Sequence, residues 1–196
     1  INYCPVKSVS FQPVENCKIK KNIGIIGDRI FAFAKDLDLE QAKLFEKSPA
    51  ERKGKWNKVL TLKNSPALNK YNFIFKDEKL TLTFKDNEIL SIDINQLTER
   101  ETLSNKISEL ESSLKQPITL MKNDAFPFFD TSISKKVDFV NSVSLLNFQS
   151  INDFEKKVGK KIETSIFRGN ICIDGLEPWK EREWIGKTIK INNISF

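Results

Sequence analysis

Apolar and polar positions alternate with a period of two along much of the first half of the chain. Ile30, Ala32 and Ala34 alternate with Phe31 and Phe33 behind a glycine turn, which predicts a strand there. Residues 71–75 and 80–84 predict a hairpin joined by the polar residues 76–79, and residues 89–94 add a third strand to that meander. Residues 1–7 form another strand-compatible run. Between them, residues 35–70 hold no regular period, and Ser48-Pro49 and Ser65-Pro66 mark turns.

The period changes over residues 98–116. Leu103, Ile107, Leu110 and Leu114 recur at helical spacing, Thr98 and Glu101 stand where a capping box needs them, and Pro117 stops the segment. The stripe is expected to pack on the sheet. After Phe126-Pro127, residues 142–148 and 150–158 predict two short helices, the second closed by Gly159. Residues 166–173 and 188–194 return to strand composition. The pattern implies a mostly β, α+β chain with two parts, 1–97 and 98–196, and contains no internal repeat.

Composition narrows the chemistry. The chain has 196 residues, 39% apolar and 30% charged, with 15 Phe, which is enough for a well-filled core without disulfides. It contains no histidine, which removes Ser-His-Asp hydrolysis, histidine general-base chemistry and His-ligated zinc together. Three cysteines at unpatterned spacing, Cys4, Cys17 and Cys172, point to buried thiols in a reducing compartment, so the expected location is cytoplasmic. No apolar stretch reaches the ~20 residues of a membrane span, and no secretory pattern opens the chain. The net charge of +6 is spread among acidic residues without aromatic–basic interleaving, so nucleic acid is not the expected partner.

Four short motifs offer chemistry, and each also has an ordinary structural reading. Pro5-Val6-Lys7-Ser8 presents a cation and a hydroxyl to an anion, or is an exposed strand end. Gly27-Asp28-Arg29 places an arginine fork at a strand start, or is a local Asp–Arg pair. Asp130-Thr131-Ser132 can cradle anionic oxygens, or cap a turn. Phe167-Arg168-Gly169-Asn170 sets a charge beside the apolar run 171–173, where it lines a site or bridges to a carboxylate.

In their order, Pro-Val-Lys-Ser, Gly-Asp-Arg, Phe-Arg-x-Asn-Ile and then Glu177-Pro178-Trp179 resemble the MOSC family, and the resemblance extends from Pro5 to Ile191. That family is named for the C-terminal domain of molybdenum-cofactor sulfurase and includes the mitochondrial amidoxime-reducing component and its bacterial relatives. The resemblance implies an N-terminal β-barrel-like domain over 1–97 and a MOSC-type β-barrel with a few short helices over 98–196. It implies a pocket for the molybdenum cofactor (molybdopterin), shared between both halves. Lys7, Ser8 and Arg29 would hold the phosphate and pterin end, Thr131 and Ser132 would add hydroxyl and backbone contacts, and Arg168 and Asn170 would line the pocket.

The implied activity is reduction of a small N-oxygenated substrate, with a redox protein or domain as electron donor. Family properties also include pyridoxal phosphate binding, and the implied alternative is a non-catalytic binding or sulfur-carrier module. Three positions depart from the family. Gly169 stands where relatives usually have proline, and Leu62-Lys63 stand where many have Gln-Arg, near the substrate face. The family's metal-ligating cysteine follows the strand that resembles residues 188–194, and is expected a few residues beyond Phe196. None of Cys4, Cys17 and Cys172 stands at its position, which implies a fragment or a member without the ligand.

Overall fold

The computed structural model describes residues 1–52, 54–114, 116–129 and 142–196. Two compact units are present: residues 3–142, and residues 143–196 together with 1–2. The 97/98 division expected from the sequence pattern falls inside the larger unit, at the start of a helix. The chain is α+β. Its strands form separate two- and three-stranded sheets, with no closed barrel among the described residues. Among them, no helix is long and apolar enough to cross a membrane.

The earliest strands are two residues each: β1 (Asn2–Tyr3), β2 (Gln12–Pro13), and β3 (Ile19–Lys20) paired antiparallel with β4 (Gly24–Ile25). The strand that organises the larger unit is β5 (Phe31–Lys35), whose first four residues are all buried. Its period-two geometry sends alternate side chains to opposite faces. Phe31 and Phe33 enter one hydrophobic cluster, while Ala32 and Ala34 enter another with Phe45, Val59, Met121 and Phe128. The small alanines let the helix α1 (Leu39–Lys47) bring Ala42 and Phe45 close to that face.

A meander of β6 (Asn72–Lys76), β7 (Lys79–Phe84) and β8 (Asn87–Asp93) follows, and its inward residues Phe73, Leu80, Leu82 and Ile92 join the Phe31 cluster. Next, α2 (Leu97–Leu110) adds Leu103 and Ile107 to the same cluster. Finally β9 (Ile118–Lys122) pairs antiparallel with β5, setting Phe33 against Leu120 and Ala32 against Met121.

In the smaller unit β10 (Leu145–Asn147) runs parallel to β11 (Ile171–Ile173), with α3 (Phe148–Val158) between them in the chain. Parallel neighbours need such a crossover. Asn147 caps α3 by accepting from the Gln149 N–H at 3.1 Å, and Gly159 closes it in the left-handed conformation. A hairpin of β12 (Lys190–Ile191) and β13 (Ile194–Ser195) ends the unit.

The meander and α3 lie where the pattern put them, while α2 starts as expected but ends at Leu110, short of residue 116 and Leu114. Four local expectations are corrected. Thr98 lies inside α2, whose cap is Gln96 without a side-chain bond, and Glu99 instead reaches back to accept from the Asp93 N–H at 2.5 Å. Residues 145–147 are strand rather than helix, because Leu146 and its neighbours pair with 171–173. The strand expected over 166–173 is confined to 171–173, the preceding residues forming a 3-10 turn over Thr164–Phe167. Residues 35–70 hold α1, whose buried contacts are only Ala42 and Phe45.

Candidate functional site

The Pro5-Val6-Lys7-Ser8 and Gly27-Asp28-Arg29 motifs are joined through the backbone. Arg29 N–H donates to Cys4 O at 2.7 Å, Phe31 N–H to Pro5 O at 2.9 Å, and Lys7 N–H to Phe31 O at 2.8 Å. Asp28, only 1% exposed, accepts from the Cys4 N–H at 2.9 Å through Oδ1 and holds Arg29 Nη1 through Oδ2. The aspartate therefore links the two segments and partly neutralises the arginine. Gly27 adopts φ +90°, and a Cβ there would meet the Tyr3 ring at 3.6 Å.

This framework gathers Lys7, Ser8 and Arg29 on adjoining segments. Lys7 and Ser8 are 7% and 6% exposed, unusual for a lysine and a hydroxyl at a strand end. Lys7 Nζ lies 5.6 Å from the centre of the Trp56 ring. The Arg29 guanidinium lies 5.0 Å from the ring centres of both Phe11 and Phe129. Aromatic faces stabilise a cation without consuming its N–H donors, so the Arg29 donors that Asp28 does not engage stay available to an anion. The Ser8 hydroxyl makes no hydrogen bond among the described residues.

In the smaller unit, Arg168 ends the turn over Thr164–Phe167 with φ 53°, and its N–H donates to Ser165 O at 3.1 Å. Asn170 is 1% exposed. Its Oδ1 accepts from the Ser144 hydroxyl at 3.0 Å and the Ser144 N–H at 3.2 Å, while Nδ2 donates to Asn2 O at 3.2 Å. The amide thus ties three stretches of chain together and steadies the backbone beside Arg168. At Gly169, the non-proline position, a Cβ would lie 2.4 Å from Leu146 Cγ and Cδ1. Thr131 and Ser132 lie outside the described residues.

Left-handed backbone recurs in these motifs. Among the non-glycine residues with positive φ, Asn22, Asp36, Asp77, Glu78, Lys85, Asp86 and Asn192 occupy hairpin or strand-end turns. Ser8, Arg29, Arg168 and Trp179 also lie in turns or at a turn end, and these four belong to the motifs read from the sequence. Such residues cost about 1–3 kcal/mol each and persist where the surroundings over-determine them, often at functional sites.

Trp179 shows how firmly. Its N–H donates to Ser150 Oγ at 2.7 Å and its indole N–H to Asp153 at 2.6 Å, while Arg182 lies 4.4 Å from its ring centre. Glu181 accepts from Asn147 at 2.9 Å and from Ser150 at 2.7 Å. Burial alone would raise the Glu181 carboxyl, but these bonds draw it below the usual range. Glu177-Pro178-Trp179 is thereby moored to the start of α3.

A separate cavity of about 310 Å³ opens in the larger unit against α1, α2 and β9, lined by Leu39, Ala42, Glu46, Leu97, Arg100 and Leu120 among others. None of the motif residues lines it. Three of its polar side chains are engaged: Arg100 bonds Glu46 at 2.9 Å and Ile94 O at 2.6 Å, and Ser104 bonds Arg100 O and the Leu120 N–H. No cluster of three His, Cys, Asp or Glu side chains fit for a metal occurs among the described residues. The sequence reading missed Phe11, Trp56 and Phe129, the rings beside the cations, because scattered aromatics carry no periodic signal. No protein-family model matches the chain, and no curated protein matches it.

Proposed function

We propose that the chain is a MOSC-type protein, built on a MOSC-type β-barrel architecture, that binds the molybdenum cofactor through an anion cradle of Lys7, Ser8 and Arg29. The observation that carries the proposal is the left-handed backbone at Ser8, Arg29 and Arg168, strain retained at the very motifs whose order resembles that family. The residues fit the phosphate end of such a cofactor. Lys7 and Arg29 supply positive charge in partly dehydrated surroundings, where an anion is held more strongly than in bulk water. Ser8 adds a neutral donor.

The fit stops short of the metal. Cys4 donates its thiol to Val6 O at 2.7 Å, and burial pushes the Cys17 thiol up, so neither is presented as a thiolate. We assign no metal ligand. When bound, the cofactor would supply two-electron chemistry toward N-oxygenated substrates, with electrons from a separate donor protein, in a reducing compartment such as the cytoplasm. The chain's own residues bind and orient its anionic end.

The test is metal and pterin content after expression in a host that makes the cofactor. Near-stoichiometric pterin is expected, and Arg29→Gln should lower it about tenfold, the effect of losing a charge-assisted contact. A folded chain that binds inorganic phosphate but no pterin would transfer the reading to a non-catalytic binding or sulfur-carrier module. A folded chain that takes up neither overturns the cradle.

A further inference from the structure

Arg52 ends the 3-10 turn Pro49–Arg52 that follows α1, and with 1% exposure it is among the most deeply buried large side chains. Its guanidinium forms no ion pair among the described residues. Instead Nε donates to Phe45 O at 2.8 Å, and Nη1 donates to Phe126 O at 2.8 Å and to Pro127 O at 3.4 Å. Among the described residues Nη2 is buried with no partner, and the Phe128 ring centre lies 3.9 Å from Cζ. Burial lowers its pKa to about 10, which still leaves it charged at neutral pH.

A buried cation without a directly bonded carboxylate is costly, even with Glu46 near enough to favour its charge, and an apolar side chain of similar length would fill the space at lower cost. What an apolar side chain could not do is hold the carbonyls of Phe126 and Pro127. The two residues that follow act directly on Arg29: Phe128 N–H donates to Arg29 O at 2.7 Å, and the Phe129 ring lies under its guanidinium at 5.0 Å. The Asn123 side chain steadies the same segment by accepting from the Phe126 N–H at 2.7 Å.

We propose that Arg52 is a positioning residue for Arg29: its carbonyl clamp sets the Phe126–Phe129 segment, which in turn holds Arg29 in its left-handed conformation, with the donors that Asp28 does not engage left for an anion. The role in binding rests on the reading of Arg29 as a phosphate ligand. The cost of the buried charge is thus offset by order at a site some residues away, rather than by stability where the charge sits.

The experiment compares Arg52→Met, Arg52→Lys, Arg29→Gln and Leu68→Ala in the full chain. Leu68 is a core residue outside this chain of contacts and serves as a control for stability loss. Titration with inorganic phosphate, followed by NMR, should show Arg52→Met binding about tenfold more weakly, a loss equal to one charge-assisted contact. Arg52→Lys should recover part of it, and Leu68→Ala should bind as wild type. Without ligand, hydrogen exchange at the Phe128 amide should speed up in Arg52→Met beyond any change in Leu68→Ala.

Wild-type affinity in Arg52→Met alongside loss in Arg29→Gln overturns the positioning role and leaves the cradle standing. A wild type that binds no phosphate removes the cradle, and Phe128 exchange then decides alone whether Arg52 holds the Arg29 segment. If Arg52→Met does not fold, Arg52→Lys decides by the same readings: unchanged exchange and affinity would overturn the proposal.

Discussion

Left-handed backbone brings Cβ close to the following carbonyl, so serine, arginine and tryptophan adopt it only when neighbours compel them. At Arg29 the compelling contacts can be named. Its N–H and carbonyl are bonded to Cys4 and Phe128, and its side chain to Asp28. Gly169 shows the opposite case, a residue defined by the absence of a side chain. Its φ is not left-handed, so the constraint is space against Leu146. Gly169→Ala is therefore expected to destabilise the smaller unit by about 1–3 kcal/mol, as overpacking does. Leu146→Ala in the same chain should recover part of that loss. Urea denaturation of the two variants measures it, and an unchanged midpoint for Gly169→Ala would show that Leu146 yields freely.

Elements in this chain are closed by side chains that propensity alone does not select. The turns of the meander are two residues each, Asp77-Glu78 and Lys85-Asp86, all with positive φ as a type I′ turn demands. Neither contains the glycine such turns favour. Asp86→Gly should accordingly stabilise the larger unit by about 0.5–1 kcal/mol, read as a raised urea midpoint. A lowered midpoint would mean that Asp86 makes a contact worth more than the strain it carries. The same scale explains the errors of the pattern reading. In α2, Glu99 rather than Thr98 ties the helix start to the preceding strand, a choice set by where Asp93 ends in space. In α1, burying only Ala42 and Phe45 leaves too short a stripe to stand out.

Across the whole molecule, burial of polar side chains differs between the units. Among described residues of the smaller one, Ile151 is the buried apolar side chain, while Asn147, Ser150, Glu155 and Asn170 are buried polar ones. Its order depends on carboxylates. Asp153 is held low by bonds from Lys157 and Trp179, Glu155 by Lys161 and the Ile162 N–H, and Asp174 by Gln149 and the Gly175 N–H. A folded pKa below the unfolded value contributes stability that is present above the unfolded pKa and lost as pH falls through the folded one. Acid should therefore loosen the smaller unit below about pH 4, the ordinary carboxylate range. Trp179 and Trp184 both lie in it, so their fluorescence in a Trp56→Phe chain reports its unfolding. A urea midpoint that stays level from neutral pH to pH 3 would refute the dependence.

Some features of this protein were decided within short stretches of sequence. The meander, α2 and α3 follow from alternation or helical spacing over a few turns, and the missing histidine sets aside whole classes of chemistry. Lys7, Ser8, Arg29 and Arg168 were legible as candidates because a motif needs only its neighbours. Other features arise from residues far apart in the chain, and only the tertiary structure decides those. The two faces of β5, the parallel pairing that makes 145–147 a strand, the rings around Arg29 and the carbonyls around Arg52 are all of this kind. A side chain's protonation, burial and backbone strain depend on what surrounds it in space, and no local pattern records that.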